Sequence, residues 1–271
     1  MGDLFMTLEE YIERGIYHHV DIISSYHNHN YLCGHALGNV KDYIDVAVKK
    51  GYQIFGISDH GYIPQMSDRM NRNDFFNNYL KQFEEIKDYN IIVKKGLEFE
   101  YFKENIDLYK EMRKYVDYLV LGEHIFYRNG KLRSVHYDEL DDEDFILYEK
   151  NCIEGLKTGL FDFIAHPEIA FYNIENISET GMRCLENIVK YCTENDIIME
   201  VNVNGLRRKP IGKVRYRYPR QEYLDLLKKY HTKVIVSDDA HVISEINDDY
   251  TKITYSYLED EGFNLLYELE F

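Results

Sequence analysis

Tyr26-His27-Asn28-His29-Asn30, continued by Leu32-Cys33-Gly34-His35-Ala36, is the stretch from which this chain is best read. Three histidines fall within nine residues, directly after the apolar run Val20-Asp21-Ile22-Ile23. Side chains on a strand alternate with period two, so His27 and His29 at a strand end project to one side. Two neutral imidazoles placed that way form half of a divalent-metal site. An isolated H-x-H is equally at home as two surface histidines in a loop, so the reading depends on what recurs downstream.

Downstream, short apolar runs alternate with stretches of helical spacing. Gln53-Ile54-Phe55-Gly56-Ile57 reads as a buried strand, as do Ile91 to Leu97, Tyr118 to Leu121, Phe161 to Ile164, Ile197 to Val203 and Lys233 to Val236. Between them, apolar positions recur every three to four residues in Val40 to Lys50, Phe75 to Tyr89, Ile106 to Tyr115, Phe145 to Leu160, Met182 to Asn195 and Tyr223 to Tyr230. Residues 123–143 and Gly205 to Pro219 read as long polar loops. Strand and helix therefore alternate about seven times, which gives a parallel sheet covered by helices. The expected fold is an α/β, distorted (β/α)7 TIM-like barrel, with a doubly wound open sheet as the alternative. The 271 residues fit one such barrel domain, with 1–19 a helical extension that Thr7 and Glu10 begin as a capping box.

Composition narrows the class. A net charge of -16 argues against binding nucleic acid by general electrostatics. Cys33, Cys152, Cys184 and Cys192 show no C-x-x-C spacing, which suits a reducing cytoplasm. Asp3 comes early and no apolar leader core follows it, so no secretory signal is expected, and no run is long enough to span a membrane. No glycine-rich phosphate loop follows the first strand.

The metal-competent residues fall where the strands end. Strand one is followed by His27, His29 and His35, strand two by Ser58-Asp59-His60, and strand three by Gly96-Leu97-Glu98-Phe99-Glu100. Later strands end in Gly122-Glu123-His124, Ala165-His166-Pro167 and Ser237-Asp238-Asp239-Ala240-His241. Seven of the eleven histidines occupy these positions; His18, His19, His136 and His231 do not. In an α/β barrel all such ends open on one face, where active sites lie. One catalytic zinc takes about three protein ligands, so this set implies two to three divalent ions. Nitrogen and oxygen ligation suits zinc, manganese or iron alike. Cys33 could be a ligand, but reads more readily as a small packed residue beside the site.

Taken in order, H-x-H, L-C-G-H-A, G-x-S-D-H, G-L-E-x-E-Y, G-E-H, A-H-P and S-D-D-A-H resemble the PHP (polymerase and histidinol phosphatase) superfamily. The L-C-G-H-A step and residues 96–102 resemble its histidinol-phosphatase branch. The resemblance runs from about Asp21 to His241 and implies a trinuclear centre. By motif, His27, His29, Glu98 and Asp239 would hold a first ion, with Asp239 favoured over Asp238 by the D-A-H spacing. Glu98 would bridge to a second ion completed by His124 and His166. His35, His60 and His241 would hold a third. The chain departs from the branch in lacking an arginine just after His166-Pro167.

The implied activity is hydrolysis of L-histidinol phosphate to L-histidinol and phosphate, with Glu98 central to catalysis. A phosphate monoester needs a cationic clamp, and the stretch from Gly205 to Arg217 is strongly basic. Arg207 and Arg208 are the expected catalytic and substrate contacts, on the N-x-x-G-L-R resemblance. Glu100 and Asp59 are the candidates to meet a cationic amine. The expected partner is a small phosphate ester, with no nucleic acid and no membrane. Other readings are another phosphate ester or nucleotide, an amidohydrolase, or a non-catalytic metal-binding protein. Against the amidohydrolase, strand three ends in Glu98 where that class uses a modified lysine.

Overall fold

The computed structural model describes residues 6–86, 89–208 and 216–271. Among these, eight parallel strands form one curled sheet in the order β1-β2-β3-β4-β7-β8-β9-β10. They are β1 (Ser24–Ser25), β2 (Ile54–Ile57), β3 (Ile92–Phe99), β4 (Tyr118–Leu121), β7 (Phe163–Ile164), β8 (Ile198–Asn202), β9 (Lys233–Ser237) and β10 (Asn264–Leu266). Helices lie between them in chain order, as expected of βα units. The strands expected from sequence are present within a few residues. The short β10 and the helix Asp249–Asp260 before it were not expected.

Period-two alternation sorts the strand residues into two layers. Tyr118 and Val120 of β4, Phe163 of β7 and Ile235 of β9 pack with Tyr26 inside the curl. Leu119, Leu121, Ile164, Val234 and Val236 face the helices in the larger core. The inner aromatic cluster fills the end of the barrel where the strands begin, which leaves the opposite end for a site.

The sheet closes differently at its two ends. Where the strands end, the extension of β1 meets that of β9 directly: Asp239 N donates to His27 O at 2.8 Å and His29 N to Ala240 O at 3.0 Å. Where they begin, β10 pairs with β9, and the residues after it reach β1, with Leu269 N donating to Tyr26 Oη at 2.9 Å. This wedge distorts the barrel and leaves the rim where the strands end tight.

Residues 123–143, expected as loop, contain an antiparallel hairpin, β5 (Ile125–Arg128) with β6 (Lys131–Ser134). Asn129 and Gly130 join the strands at φ 52° and 75°, the left-handed values an Asn-Gly hairpin turn uses. The helix expected from Phe75 to Tyr89 ends sooner: a π-helical turn, Phe75–Tyr79, leads into Leu80–Gln82. The N-terminal helix spans Leu8–Arg14, and both halves of the Thr7/Glu10 capping box are formed. Tyr11 ties it to Asp249–Asp260 by an edge-on contact with Tyr257 and a 3.0 Å hydrogen bond to Asp260. No helix among the described residues is long and apolar enough to cross a membrane.

Candidate metal centre

Backbone bonds continue past the strand ends and hold the histidine-bearing segments to one another. Ser58 N donates to Asn28 O at 2.8 Å, Glu98 N to Asp59 O at 3.0 Å and Gly61 N to Glu98 O at 2.8 Å. His27, His29, His60, Glu98 and Asp239 therefore sit on a hydrogen-bonded rim rather than on free loops, which suits a preorganised site. His166 and Asp239 hold left-handed backbone conformations, at φ 31° and 44°. Such strain in non-glycine residues persists where surrounding structure enforces it, characteristically at functional sites.

Glu98 lies at the centre, buried with its two oxygens turned to different histidines. Its Oε1 is 3.3 Å from His166 Nε2 and 3.5 Å from His124 Nε2. Its Oε2 is 2.9 Å from His60 Nδ1, 3.4 Å from His27 Nε2 and 3.6 Å from His29 Nε2. Asp239 Oδ1 approaches the second group, 3.2 Å from His29 Nε2 and 3.7 Å from His27 Nε2. Gly122 makes room: a Cβ there would sit 1.8 Å from Glu98 Oε1. His35 and His241 meet at the outer edge, Nε2 to Nε2 at 2.9 Å. All nine ligand positions read from sequence are thus brought to one end of the barrel.

Neither oxygen of Glu98 accepts a hydrogen bond, nor does Asp239 Oδ1, although all three are buried. Leaving such atoms without a partner is costly, and a cation between them and the imidazoles removes the cost. Charge points the same way. Burial would raise the pKa of Glu98, but His124, His27 and His60 outweigh it and hold the carboxyl well below its usual range. Burial would lower His27 and His29, but the carboxylates around them outweigh it and raise both well above the usual imidazole value. The donor set fits divalent ions.

A second layer of acids orients the ligands. Glu200 Oε1 accepts from His27 Nδ1 at 2.8 Å, and Glu100 Oε1 from His124 Nδ1 at 2.9 Å. Asp59 Oδ1 lies 3.4 Å from His29 Nδ1. Carboxylates in this position fix the ring tautomer and raise its basicity toward a metal. Glu200 was not anticipated from sequence; an acid between Met199 and Val201 in a strand-like run was the available signal.

Several expected contacts are placed elsewhere. Arg207 faces away from the site: Nε donates to Asp248 Oδ2 at 2.8 Å, Nη1 to Asp238 O at 2.5 Å and Nη2 to Glu245 O at 2.8 Å. Arg208, one residue on, lines the cavity beside Tyr218. Lys209, Lys213 and Arg215 of the basic stretch lie outside the described residues. Glu100 is taken up by His124 and by Arg69, whose Nη1 lies 2.6 Å from Oε1. Asp59 is buried behind His29, so neither acid lines the cavity as an amine contact would. Asp238 binds Tyr52 and Thr251, at 2.7 and 2.6 Å, and leaves the centre to Asp239. His136, set aside on sequence, does line the cavity: the β5–β6 hairpin returns it to stack on His124 at 5.4 Å.

Comparison with known proteins agrees with this geometry. The profile of the PHP domain matches residues 25–204. The chain belongs to the PHP domain family. Within that family, a Schizosaccharomyces pombe protein named probable histidinol-phosphatase is 25% identical over 281 residues, 92% of this chain and 89% of its own length. A protein named probable phosphatase in Shewanella loihica is 28% identical over 178 residues, 65% of this chain, which spans 62% of that relative. Among solved structures, a hisK chain of Listeria monocytogenes superimposes with a TM-score of 0.71 at 17% identity, over 84% of this chain and 98% of that one. Histidinol phosphate phosphatase from Lactococcus lactis, solved with zinc, L-histidinol and phosphate, gives 0.67 at 16% identity, over 90% and 95%. At these identities the two solved structures bear on fold alone, and both carry the barrel described above.

Proposed function

We propose that this chain is a metal-dependent phosphomonoesterase that hydrolyses L-histidinol phosphate to L-histidinol and phosphate. The observation that carries the chemistry is Glu98, a buried carboxylate with each oxygen turned to its own set of imidazoles. Two to three divalent ions (zinc, manganese or iron) are the proposed complement. His27, His29, Glu98 and Asp239 would hold one, Glu98, His124 and His166 a second, and His35, His60 and His241 a third. Such ions supply Lewis acidity that lowers the pKa of water toward neutrality and offsets charge on a phosphoryl group.

The chain's own residues do the rest. Glu98 and Asp239 keep anionic oxygens among the imidazoles, and Glu200, Asp59 and Glu100 hold His27, His29 and His124 in orientation. Arg208 supplies a planar cation above the cavity, suited to two phosphate oxygens at once. Tyr218, His136 and Ile169 wall the remaining space. The space they enclose is small and opens to solvent.

The substrate assignment rests on the histidinol-phosphatase motifs and on the name of the fission-yeast relative. One observation favours a second reading, another small phosphate ester or a nucleotide. Among the described residues, the cavity offers no carboxylate beyond Glu98 and Asp239 to meet a cationic amine. A panel of phosphomonoesters, phosphodiesters and amides, run on protein purified with its metals, separates the two. The first reading expects L-histidinol phosphate to show the highest kcat/KM. A higher value for an ester without an amine would replace it with the second.

A further inference from the structure

His35 and His241 turn a pair of ring nitrogens to one position at the outer edge of the rim. His35 Nδ1 lies 3.1 Å from the carbonyl oxygen of Cys33, and His241 Nδ1 3.0 Å from that of Asp239. A carbonyl only accepts, so each Nδ1 carries the proton and each Nε2 presents a lone pair. Those two lone pairs face each other at 2.9 Å, a separation that calls for a cation. His60, the ring expected from sequence at this position, turns Nδ1 toward Glu98 Oε2 at 2.9 Å and keeps a ring nitrogen within 4.8 Å of one of His241.

A sulfur stands beside the pair. Cys33 is 1% exposed, and its Sγ accepts the Ala36 amide at 3.2 Å, which fixes where the sulfur lies. Sγ and ring nitrogens of His35 and His241 all lie within 4.8 Å of one another. The local chain builds this on purpose-made turns. Asn30 caps a single 3-10 turn, Tyr31–Cys33, and Gly34 at φ 87° reverses the chain so that Cys33 and His35 converge. A Cβ at Gly34 would meet Asp68 O at 2.6 Å, so the reversal depends on glycine.

We propose that Cys33, as a thiolate, is a ligand of the ion held by His35 and His241, which makes that position selective for a thiophilic cation, zinc ahead of manganese. The proposal rests on the metal-centre reading of the rim. On binding, the S–H bond breaks, a sulfur–metal bond forms and the proton leaves to solvent. Thiolate ligands select zinc over the harder manganese ion. The competing role for Cys33 is a hydrogen-bond partner of His29, with which it and Asp59 also cluster. The other cysteines are buried in the core on the helices Asp142–Lys157 and Glu179–Glu194.

The test is cobalt substitution of the metal-free full chain, read by absorption. The proposal expects a near-ultraviolet thiolate-to-cobalt charge-transfer band in the parent. The band should be lost in Cys33→Ser and in His35→Ala, while the visible bands of cobalt in nitrogen and oxygen sites remain. Visible bands without the charge-transfer band in the parent, or a band that survives in Cys33→Ser, would overturn the thiolate and leave the metal centre standing. Failure to bind cobalt or zinc at all would overturn both. X-ray absorption of the zinc-loaded parent needs no variant to fold: a Zn–S shell at about 2.3 Å supports the proposal, and only lighter ligands at about 2.0–2.1 Å overturn it.

Discussion

Arg207 and Arg208 are adjacent and chemically identical, yet one is tied into a network and the other lines the cavity, so on the proposed function their alanine variants should fail in different assays. Arg207 is 9% exposed and its guanidinium is shared among Asp248, the carbonyls of Asp238 and Glu245, and Thr251. Removing one partner of a buried pair costs about 3–5 kcal/mol. Asp248 is 23% exposed and is partly rehydrated, which favours the low end, about 3 kcal/mol. At roughly 2–4 °C per kcal/mol for a chain of this size, Arg207→Ala should lower Tm by about 6–12 °C. Arg208 lines the cavity beside Tyr172 and Tyr218, and among the described residues no carboxylate forms a salt bridge with it. Arg208→Ala should leave Tm within about 1–2 °C. It should lose a charge-assisted phosphate contact worth about 1.5–3 kcal/mol, roughly ten- to a hundredfold in kcat/KM. Arg208→Lys should recover only part of this, since a point charge lacks the planar fork. Differential scanning calorimetry and steady-state kinetics at saturating metal give both readouts. An Arg207→Ala protein of parental Tm, or an Arg208→Ala protein of parental efficiency, would refute the division of labour.

Other variants probe the centre itself. Glu98→Gln withdraws charge from both sets of imidazoles at once and should cut kcat/KM at least a thousandfold, about 4 kcal/mol, with the circular dichroism of the parent. Near-normal turnover at saturating metal would remove the bridging role. Glu200→Gln keeps an acceptor for His27 but not the charge, and should weaken zinc binding about tenfold in a chelator competition, the low end for a ligand-orienting group. Glu123 is buried and its pKa is pushed up to about 8, chiefly by burial. Its raised folded pKa means the native state holds a proton that the unfolded chain releases above about pH 4.5. The metal-free protein should therefore lose stability as pH rises from about 4.5 to 8, and Glu123→Gln should flatten that loss in denaturant titrations. Parallel pH profiles for parent and variant would count against a buried neutral Glu123.

Much of the barrel was legible because two signals coincide in it. Apolar runs of strand length mark β2, β3, β4, β8 and β9, and a metal-competent residue lies within a few residues of the end of most of them. Since parallel strands end on one face, linear order translated directly into a spatial cluster. What escaped was what period and type do not encode. The β5–β6 hairpin carried its own signal in Asn129-Gly130, but its strands are four residues each and β6 is polar, so the stretch read as loop and His136 was set aside with it. β10 is three residues long, too short to stand out. Arg207 and Arg208 differ only in direction, which a one-turn helix, Asn204–Arg207, decides by sending the first toward Asp248. Glu100 and Asp59 were read as free acids because spacing says nothing of Arg69 or of a buried imidazole behind them.

The central claim is that the two oxygens of Glu98 serve separate ions. Anomalous diffraction from crystals grown with the native metals, recorded at the absorption edge of whichever metal elemental analysis finds, tests it directly. The account predicts one anomalous peak among Glu98 Oε1, His124 and His166 and another among Glu98 Oε2, His27, His29 and Asp239. A single peak on one side of Glu98, or none in protein that hydrolyses its ester, would contradict it.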